Sequence, residues 1–144
     1  DKNLNLEIPN KANFENEDHN ILNKFDENYN NLINAIDNQN INYYINFIIN
    51  QLFAANKYFN DQEPWNKKND IKRLNTILYV SLELIRKISI LLYPVIPESA
   101  LKVLSIFNVK EIELTYNSIK NNNFLKPKTK IKKIEILFKK IEKK

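Results

Sequence analysis

The chain has no glycine and no cysteine among its 144 residues. A phosphate-binding loop and a dinucleotide fingerprint both need glycines where the backbone meets phosphate, so neither is present. Without cysteine there is no disulfide, no thiol nucleophile and no cysteine zinc site. These absences exclude several classes of enzyme. The lack of cysteine also agrees with a reducing compartment, and we expect a cytoplasmic protein.

Methionine and long apolar runs are missing as well. Since the chain lacks its own initiating methionine, we expect it to be a portion of a longer protein. Polar residues interrupt every apolar stretch before it reaches the roughly 20 residues that span a bilayer. No charged segment followed by an apolar one opens the chain as a leader would. The sequence therefore predicts no membrane partner.

The net charge of +5 is distributed unevenly. Residues 124–144 contain nine lysines and two glutamates, a balance of +7, whereas residues 1–123 hold 13 basic and 15 acidic side chains, a balance of −2. A basic tail is typical of a segment that lies beside RNA or an acidic protein, and equally of a solvated extension. Charge alone leaves these alternatives open.

Apolar residues with three–four spacing predict an all-α protein. The predicted helices cover residues 18–38, 41–60, 71–92 and 98–107. Asn40 is the expected N-cap of the second helix, and Asn69 or Asp70 of the third. Short links between amphipathic helices favour an antiparallel helical bundle. The second helix is so rich in apolar residues that we expect it to be buried on more than one side.

We expect three regions along the chain. Residues 1–17 are predicted to form a loop, residues 18–115 the helical bundle, and residues 116–144 a basic C-terminal tail. Apolar residues between 131 and 141 fit a helical period, yet residues 134–138 could equally be extended.

The only tryptophan, Trp65, follows Pro64 where the second helix ends. Proline cannot continue the helix, and it pushes the residue before it toward extended geometry. Trp65 could pack back as a lid on the end of the bundle. Nearby cations instead favour a base-stacking site, because stacking grips an unpaired base while cations bind phosphates. The predicted phosphate-contacting residues are Lys67, Lys68, Lys72 and Arg73.

No set of residues predicts catalysis or metal binding. His19, the only histidine, is interpreted as an exposed neighbour of a helix cap, because no partner is spaced to help it act. Asp61, Glu63 and Glu83 are interpreted as solvated carboxylates without a defined pocket. No serine has a histidine near it in sequence, so nucleophilic catalysis is not supported.

Two tripeptides flanking the end of the second helix carry a resemblance to a known family. Asn-Lys-Tyr at residues 56–58 and Glu-Pro-Trp at residues 63–65 resemble the signature of the anticodon-binding helical domain in class I aminoacyl-tRNA synthetases. Longer segments are similar to the methionyl enzymes in particular: residues 55–65, 78–80, 85–86, 90–97, 125–131 and 135–142.

The resemblance implies roles for residues at the turn and a place for the chain in a longer protein. It implies that Trp65 stacks on an anticodon base with Pro64 fixing its approach, and it makes Asn56 a further candidate. It also implies that other anticodon-reading residues lie on a helix upstream of Asp1. Residues 1–17 would then be a loop that follows a missing helix.

The tail departs from the family pattern. Lys128 stands where the family usually has glycine, and prolines and an arginine are replaced further on, at Ile136, Lys139 and Lys140. The resemblance implies an extended tail docked on the bundle. Its anchors would be Leu137, Phe138 and Ile141.

The function implied by the resemblance is that of an anticodon-recognition fragment of methionine–tRNA ligase. Its partners would be the tRNA(Met) anticodon loop and the catalytic domain of the same protein, which would use ATP and magnesium. The fragment itself would hold no cofactor. The alternatives are the equivalent domain of a valyl, isoleucyl, leucyl or cysteinyl synthetase, or a non-catalytic helical module that binds a protein and buries Trp65.

Overall fold

The computed structural model describes residues 6–133 and residue 137, with Glu111 described by its backbone alone. Over this part the fold is all-α, as predicted. The α-helices are Asn16–Glu27 (α1), Tyr29–Asp37 (α2), Ile41–Gln62 (α3), Ile71–Leu92 (α4) and Pro97–Ile106 (α5). Short 3-10 segments cover Pro64–Asn66, Glu111–Glu113 and Tyr116–Lys120. None of the described helices has the length and apolar content needed to cross a membrane.

The first predicted helix is divided in two at Asn28. The Asn28 side chain donates a hydrogen bond to the carbonyl oxygen of Lys24, 2.9 Å away, at the end of α1. Asparagine favours such local bonds over helix continuation, which accounts for the break. α1 also begins two residues earlier than predicted. Glu15 and Asp18 there form a reciprocal capping box, in which each side chain accepts from the backbone of the other residue.

The remaining helix boundaries agree closely with the spacing and capping signals. α4 has the predicted bounds, α3 is two residues longer, and α5 begins at Pro97, one residue early. The Asn40 side chain accepts from the backbone N–H of Tyr43 at 3.1 Å. Asp70 accepts from that of Arg73 at 3.0 Å. Both caps are confirmed, with Asp70 rather than Asn69 starting α4.

α4 is the central helix of the bundle. It contacts α1, α3, α5 and the segment Tyr116–Lys120. The apolar core around it includes Leu22, Phe25, Leu32, Tyr44, Ile48, Ile77, Val80, Leu84, Leu91 and Leu104. Burial of each such side chain contributes roughly 1.5–3 kcal/mol. This packing fixes the two ends of the loop that joins α3 to α4.

The expectation that α3 is buried on more than one side is wrong for the described chain. One face is buried, through Tyr44, Phe47, Ile48, Gln51 and Tyr58. Apolar residues elsewhere on the helix remain exposed: Ile41, Ile49, Leu52 and Phe53, the last at 70%. Since no described segment covers them, the apolar excess of α3 forms an open surface.

The C-terminal segment runs extended beside the N-terminal one, in agreement with the extended tail predicted. Ile8 and the tail exchange two backbone hydrogen bonds, to Thr129 at 2.9 Å and from Lys128 at 2.8 Å. A second small core joins them to the bundle and contains Ile8, Tyr79, Phe107 and Leu125. The two segments therefore hold each other against α4 and α5. Of the predicted tail anchors, Phe138 and Ile141 lie outside the described residues, as do the alternatives at 134–136.

Lys128 shows why its position favours glycine. Its φ is 63°, in the left-handed region. For a residue with a Cβ atom this conformation is less stable by roughly 1–2 kcal/mol, whereas glycine adopts it without that cost. The departure at Lys128 therefore leaves the turn intact and adds a local cost.

Candidate nucleic-acid interface

The turn after α3 is built from backbone hydrogen bonds between residues three apart in the sequence. Glu63 has φ 45° and ψ 57°, a left-handed conformation that reverses the chain. Pro64 is buried and starts a 3-10 turn, in which Asn66 N–H donates to the Glu63 carbonyl oxygen at 2.9 Å. The N–H of Lys67 then donates to the carbonyl oxygen of Pro64 at 3.2 Å. The loop is thus a series of tight turns, and Trp65 is the large apolar side chain that it leaves exposed.

Trp65 is neither a buried lid nor fully solvated. Its side chain is 49% exposed. The ring lies 6.2 Å from that of Phe59, centroid to centroid, at 60° between planes. This edge contact supports one side of the indole and leaves accessible surface for an incoming planar group. The exposure argues against the interaction module, which required a buried Trp65.

Three of the four predicted phosphate-contacting residues lie on accessible surface near the turn. Lys68 and Lys72 are exposed and Lys67 is half-buried. Ile71, 58% exposed, lies among them at the start of α4. The site therefore combines an aromatic ring with ammonium groups, as single-stranded nucleic acid requires.

Arg73 is placed differently from the three lysines. It is buried, and its guanidinium donates to the Asp18 carboxylate at 2.6 Å and 3.0 Å. A third bond, of 2.6 Å, goes to Oε1 of Gln62. Because its donors are directed into the protein, this geometry does not suit the phosphate contact predicted for Arg73. It makes Arg73 a structural support of the loop.

Asn56 is exposed on α3, three residues before Phe59. Residues three apart in a helix are neighbours on one face. Asn56 therefore lies on the side of α3 that reaches Trp65 through Phe59. Its exposed side chain is accessible there, so Asn56 stays a candidate for an anticodon contact.

A buried polar network lies beneath the turn and joins three helices. Asp18 on α1 accepts from Arg73 on α4 and from the Tyr58 hydroxyl on α3, the latter at 2.5 Å. Burial alone would raise the pKa of Asp18, but the hydrogen bonds from Arg73 and Tyr58 outweigh it and lower this pKa below 3.8. Burial, together with Asp18, raises the pKa of Tyr58. The carboxylate is thus ionised and the phenol neutral at physiological pH.

The sequence carries a signal for this network in the spacing of its two charged residues. Asp18 lies four and seven residues before the core residues Leu22 and Phe25, and Arg73 has the same spacing to Ile77 and Val80. A charged residue on the apolar stripe of a helix is buried with it and needs a partner. Two such residues of opposite sign predict an ion pair.

The interpretation of Glu83 as a solvated carboxylate is wrong, whereas Asp61 and Glu63 are indeed exposed. Glu83 is completely buried and accepts hydrogen bonds from Arg86 at 2.7 Å and from the backbone of Leu125 at 2.7 Å. It therefore holds the tail on α4. In the described part of the chain no three His, Cys, Asp or Glu side chains cluster as metal ligands would.

The bundle and its proline–tryptophan turn are those of an anticodon-binding domain. The sequence model of the family described as the anticodon binding domain of methionyl tRNA ligase matches residues 8–144. The chain therefore belongs to this family.

Curated relatives of the chain are methionine–tRNA ligases, in agreement with this family. The chain is 36% identical over 109 residues to methionine–tRNA ligase of Brucella suis biovar 1. The matched region covers 75% of this chain and 21% of the relative. It is 30% identical over 124 residues to the enzyme of Picrophilus torridus, covering 84% of this chain and 18% of the relative. The chain thus spans about a fifth of the length of the curated relatives it matches.

Solved structures give the same result for the fold. Methionyl-tRNA synthetase of Mycobacterium tuberculosis in its apo form superposes with a TM-score of 0.88 at 28% identity, covering 99% of this chain and 29% of that one. The complex of that protein with methionyl-adenylate gives a TM-score of 0.87 at 29% identity, covering 96% of this chain and 28% of that one.

Proposed function

We propose that this chain binds the anticodon loop of tRNA(Met), with Trp65 stacking on an unpaired anticodon base. The observation that carries the proposal is the half-exposed Trp65 ring, supported edge-on by Phe59 at 6.2 Å. Pro64 fixes the approach of the ring, and Lys67, Lys68 and Lys72 bind phosphates beside it. Asn56 reads a base edge on the neighbouring face of α3. Arg73 acts through the turn rather than on a phosphate.

The whole protein, in this proposal, is a methionine–tRNA ligase. It joins methionine to tRNA(Met) with ATP and magnesium in a catalytic domain that lies outside this chain. Support comes from relatives that bear this name and are about five times as long as the region matched. The chain would contribute anticodon recognition and hold no cofactor of its own. Its partners would be the RNA and that catalytic domain.

The three regions, residues 1–17, 18–115 and 116–144, remain our proposal for the organisation of the chain. In it, residues 1–17 follow a helix that belongs to the rest of the protein. The exposed apolar residues of α3, among them Ile49, Leu52 and Phe53, support this arrangement. Apolar surface of this kind is normally covered by another element. The upstream helix would cover it and bring further anticodon-reading residues toward Trp65.

Replacement of Trp65 tests the stacking assignment. Trp65→Ala should weaken binding of a stem–loop with a CAU anticodon by about 5- to 150-fold, because base–aromatic stacking is worth about 1–3 kcal/mol per base. Trp65→Phe keeps a smaller ring and should lose less. Fluorescence anisotropy of a labelled stem–loop titrated with each variant gives the affinities.

Controls separate stacking from folding and from other anticodons. Circular dichroism should show the same helix content in all variants, since Trp65 is half-exposed. Stem–loops with valine, isoleucine, leucine or cysteine anticodons should compete poorly, which distinguishes the alternative synthetases. An affinity of Trp65→Ala equal to that of the unmodified chain would remove Trp65 from the interface.

The lysines beside the turn should act through charge. The double variant Lys67→Ala/Lys68→Ala is expected to bind all stem–loops more weakly without a change of sequence preference. Each phosphate contact on a single strand contributes about 0.7 to the slope of log K against log salt, so the slope should fall by about 1.4. Titrations between low and moderate salt measure it. Lys24→Ala/Lys102→Ala removes the same charge from exposed positions on α1 and α5, and an equal loss of slope in this control would contradict the assignment.

A further inference from the structure

Gln62, the last residue of α3, is tied across the turn to α4. Its Oε1 accepts a hydrogen bond of 2.6 Å from the guanidinium of Arg73. The next residue, Glu63, adopts φ 45° although it is not glycine. Such a conformation persists where surrounding contacts determine it. The Gln62–Arg73 bond is a contact of that kind, since it spans the residues that carry Trp65.

The other end of this bond is itself immobilised. Arg73 makes two hydrogen bonds to Asp18, which is completely buried on α1 and also accepts from Tyr58 on α3. Paired, charge-assisted bonds of this type fix geometry as well as distance. The guanidinium is therefore held in one position, and its hydrogen bond to the side chain of Gln62 connects the end of α3 to it.

We infer that Gln62 and Arg73 are positioning residues for RNA binding, holding the turn so that Trp65 presents its ring in the stacking orientation before RNA arrives. The inference rests on the proposed function. Neither side chain needs to touch RNA, because Arg73 is directed inward and bonds Gln62. A ring fixed in its bound orientation loses less freedom on binding, which raises affinity without a new contact.

The test uses Gln62 because it is only partly buried, so its replacement should leave the bundle folded. Gln62→Ala removes the acceptor for Arg73, whereas Gln62→Glu keeps an oxygen at the same place. Asn50→Ala, at an exposed position further back on α3, is the matched control. Trp65 is the only tryptophan in the 144 residues, so its fluorescence reports on the turn alone.

In the RNA-free chain, Gln62→Ala should speed the fluorescence anisotropy decay of Trp65, and Gln62→Glu should restore the slow decay. Affinity for the CAU stem–loop should fall about 3- to 10-fold in Gln62→Ala, in line with the cost of ordering a mobile side chain. Gln62→Glu should recover most of that loss. Asn50→Ala should leave both measurements unchanged.

Two results would overturn the inference while the proposed function stands. In one, Trp65→Ala weakens binding but Gln62→Ala alters neither the anisotropy decay nor the affinity. In the other, Gln62→Glu fails to restore them. If Trp65→Ala itself has no effect on binding, the proposed function fails, and the role of Gln62 in RNA binding fails with it.

Discussion

Glu83→Ala is expected to lower the free energy of unfolding by about 3–5 kcal/mol, because it leaves a buried arginine without its counter-ion. Glu83 and Arg86 are both inaccessible to solvent, with Nε of Arg86 2.7 Å from the carboxylate. The same carboxylate accepts the backbone N–H of Leu125 at 2.7 Å. Its removal should therefore also weaken the attachment of the tail to α4, where the Tyr79 hydroxyl still donates to the Leu125 carbonyl oxygen at 2.8 Å.

Urea unfolding followed by circular dichroism measures this loss. Glu83→Gln keeps the volume and an acceptor oxygen, so it should lose less stability than Glu83→Ala. Glu27→Ala is the control, since it breaks an exposed pair with Lys24 and should cost less than about 1 kcal/mol. A Glu83→Ala variant as stable as Glu27→Ala would show that the buried pair contributes little.

The helices were predictable because their signals are local. The bounds of α4 follow from apolar spacing, the cap at Asp70 and the prolines after Leu92. The break at Asn28 was missed, because the apolar period continues through it. Periodicity locates the apolar residues of a helix without showing what will cover them. The expected burial of α3 failed for this reason at Phe53, which is 70% exposed in the described part of the chain.

The candidate site was predictable in its exposed half and not in its buried half. Trp65 and the lysines stand out because they are local and chemically distinctive. Arg73 was grouped with them on charge, although it lies on the apolar stripe of α4. Its partner, Asp18, is 55 residues away in sequence, and single-sequence spacing does not pair such distant residues. The charge was visible, and the pairing required the fold.

Lys87 should make the stability of the chain depend on pH. The side chain is completely buried beside α1 and the tail, where its nitrogen donates to the carbonyl oxygen of Ile119 and to Asn122. Burial lowers the pKa of Lys87 from 10.5 to about 7, with a further lowering by Arg86, while Glu83 and Asp26 oppose it. A neutral amine suits the site, because its two hydrogens match the two oxygen acceptors.

The sign of the effect follows from which state binds the proton. Between pH 7 and 10.5 the unfolded chain protonates Lys87 and the folded chain does not, so the free energy of unfolding rises with pH. The slope is at most about 1.4 kcal/mol per pH unit, and it vanishes below pH 7, where both states are protonated.

Urea unfolding at pH 7.5 and 9.5 should therefore show a gain of about 2 kcal/mol in the free energy of unfolding of the unmodified chain. Lys87→Met should abolish this gain, whereas Lys102→Met, at an exposed position on α5, should retain it. Since the unmodified chain and Lys87→Met share every other titrating group, a Lys87→Met variant with an undiminished gain would mean that Lys87 stays charged in the folded protein.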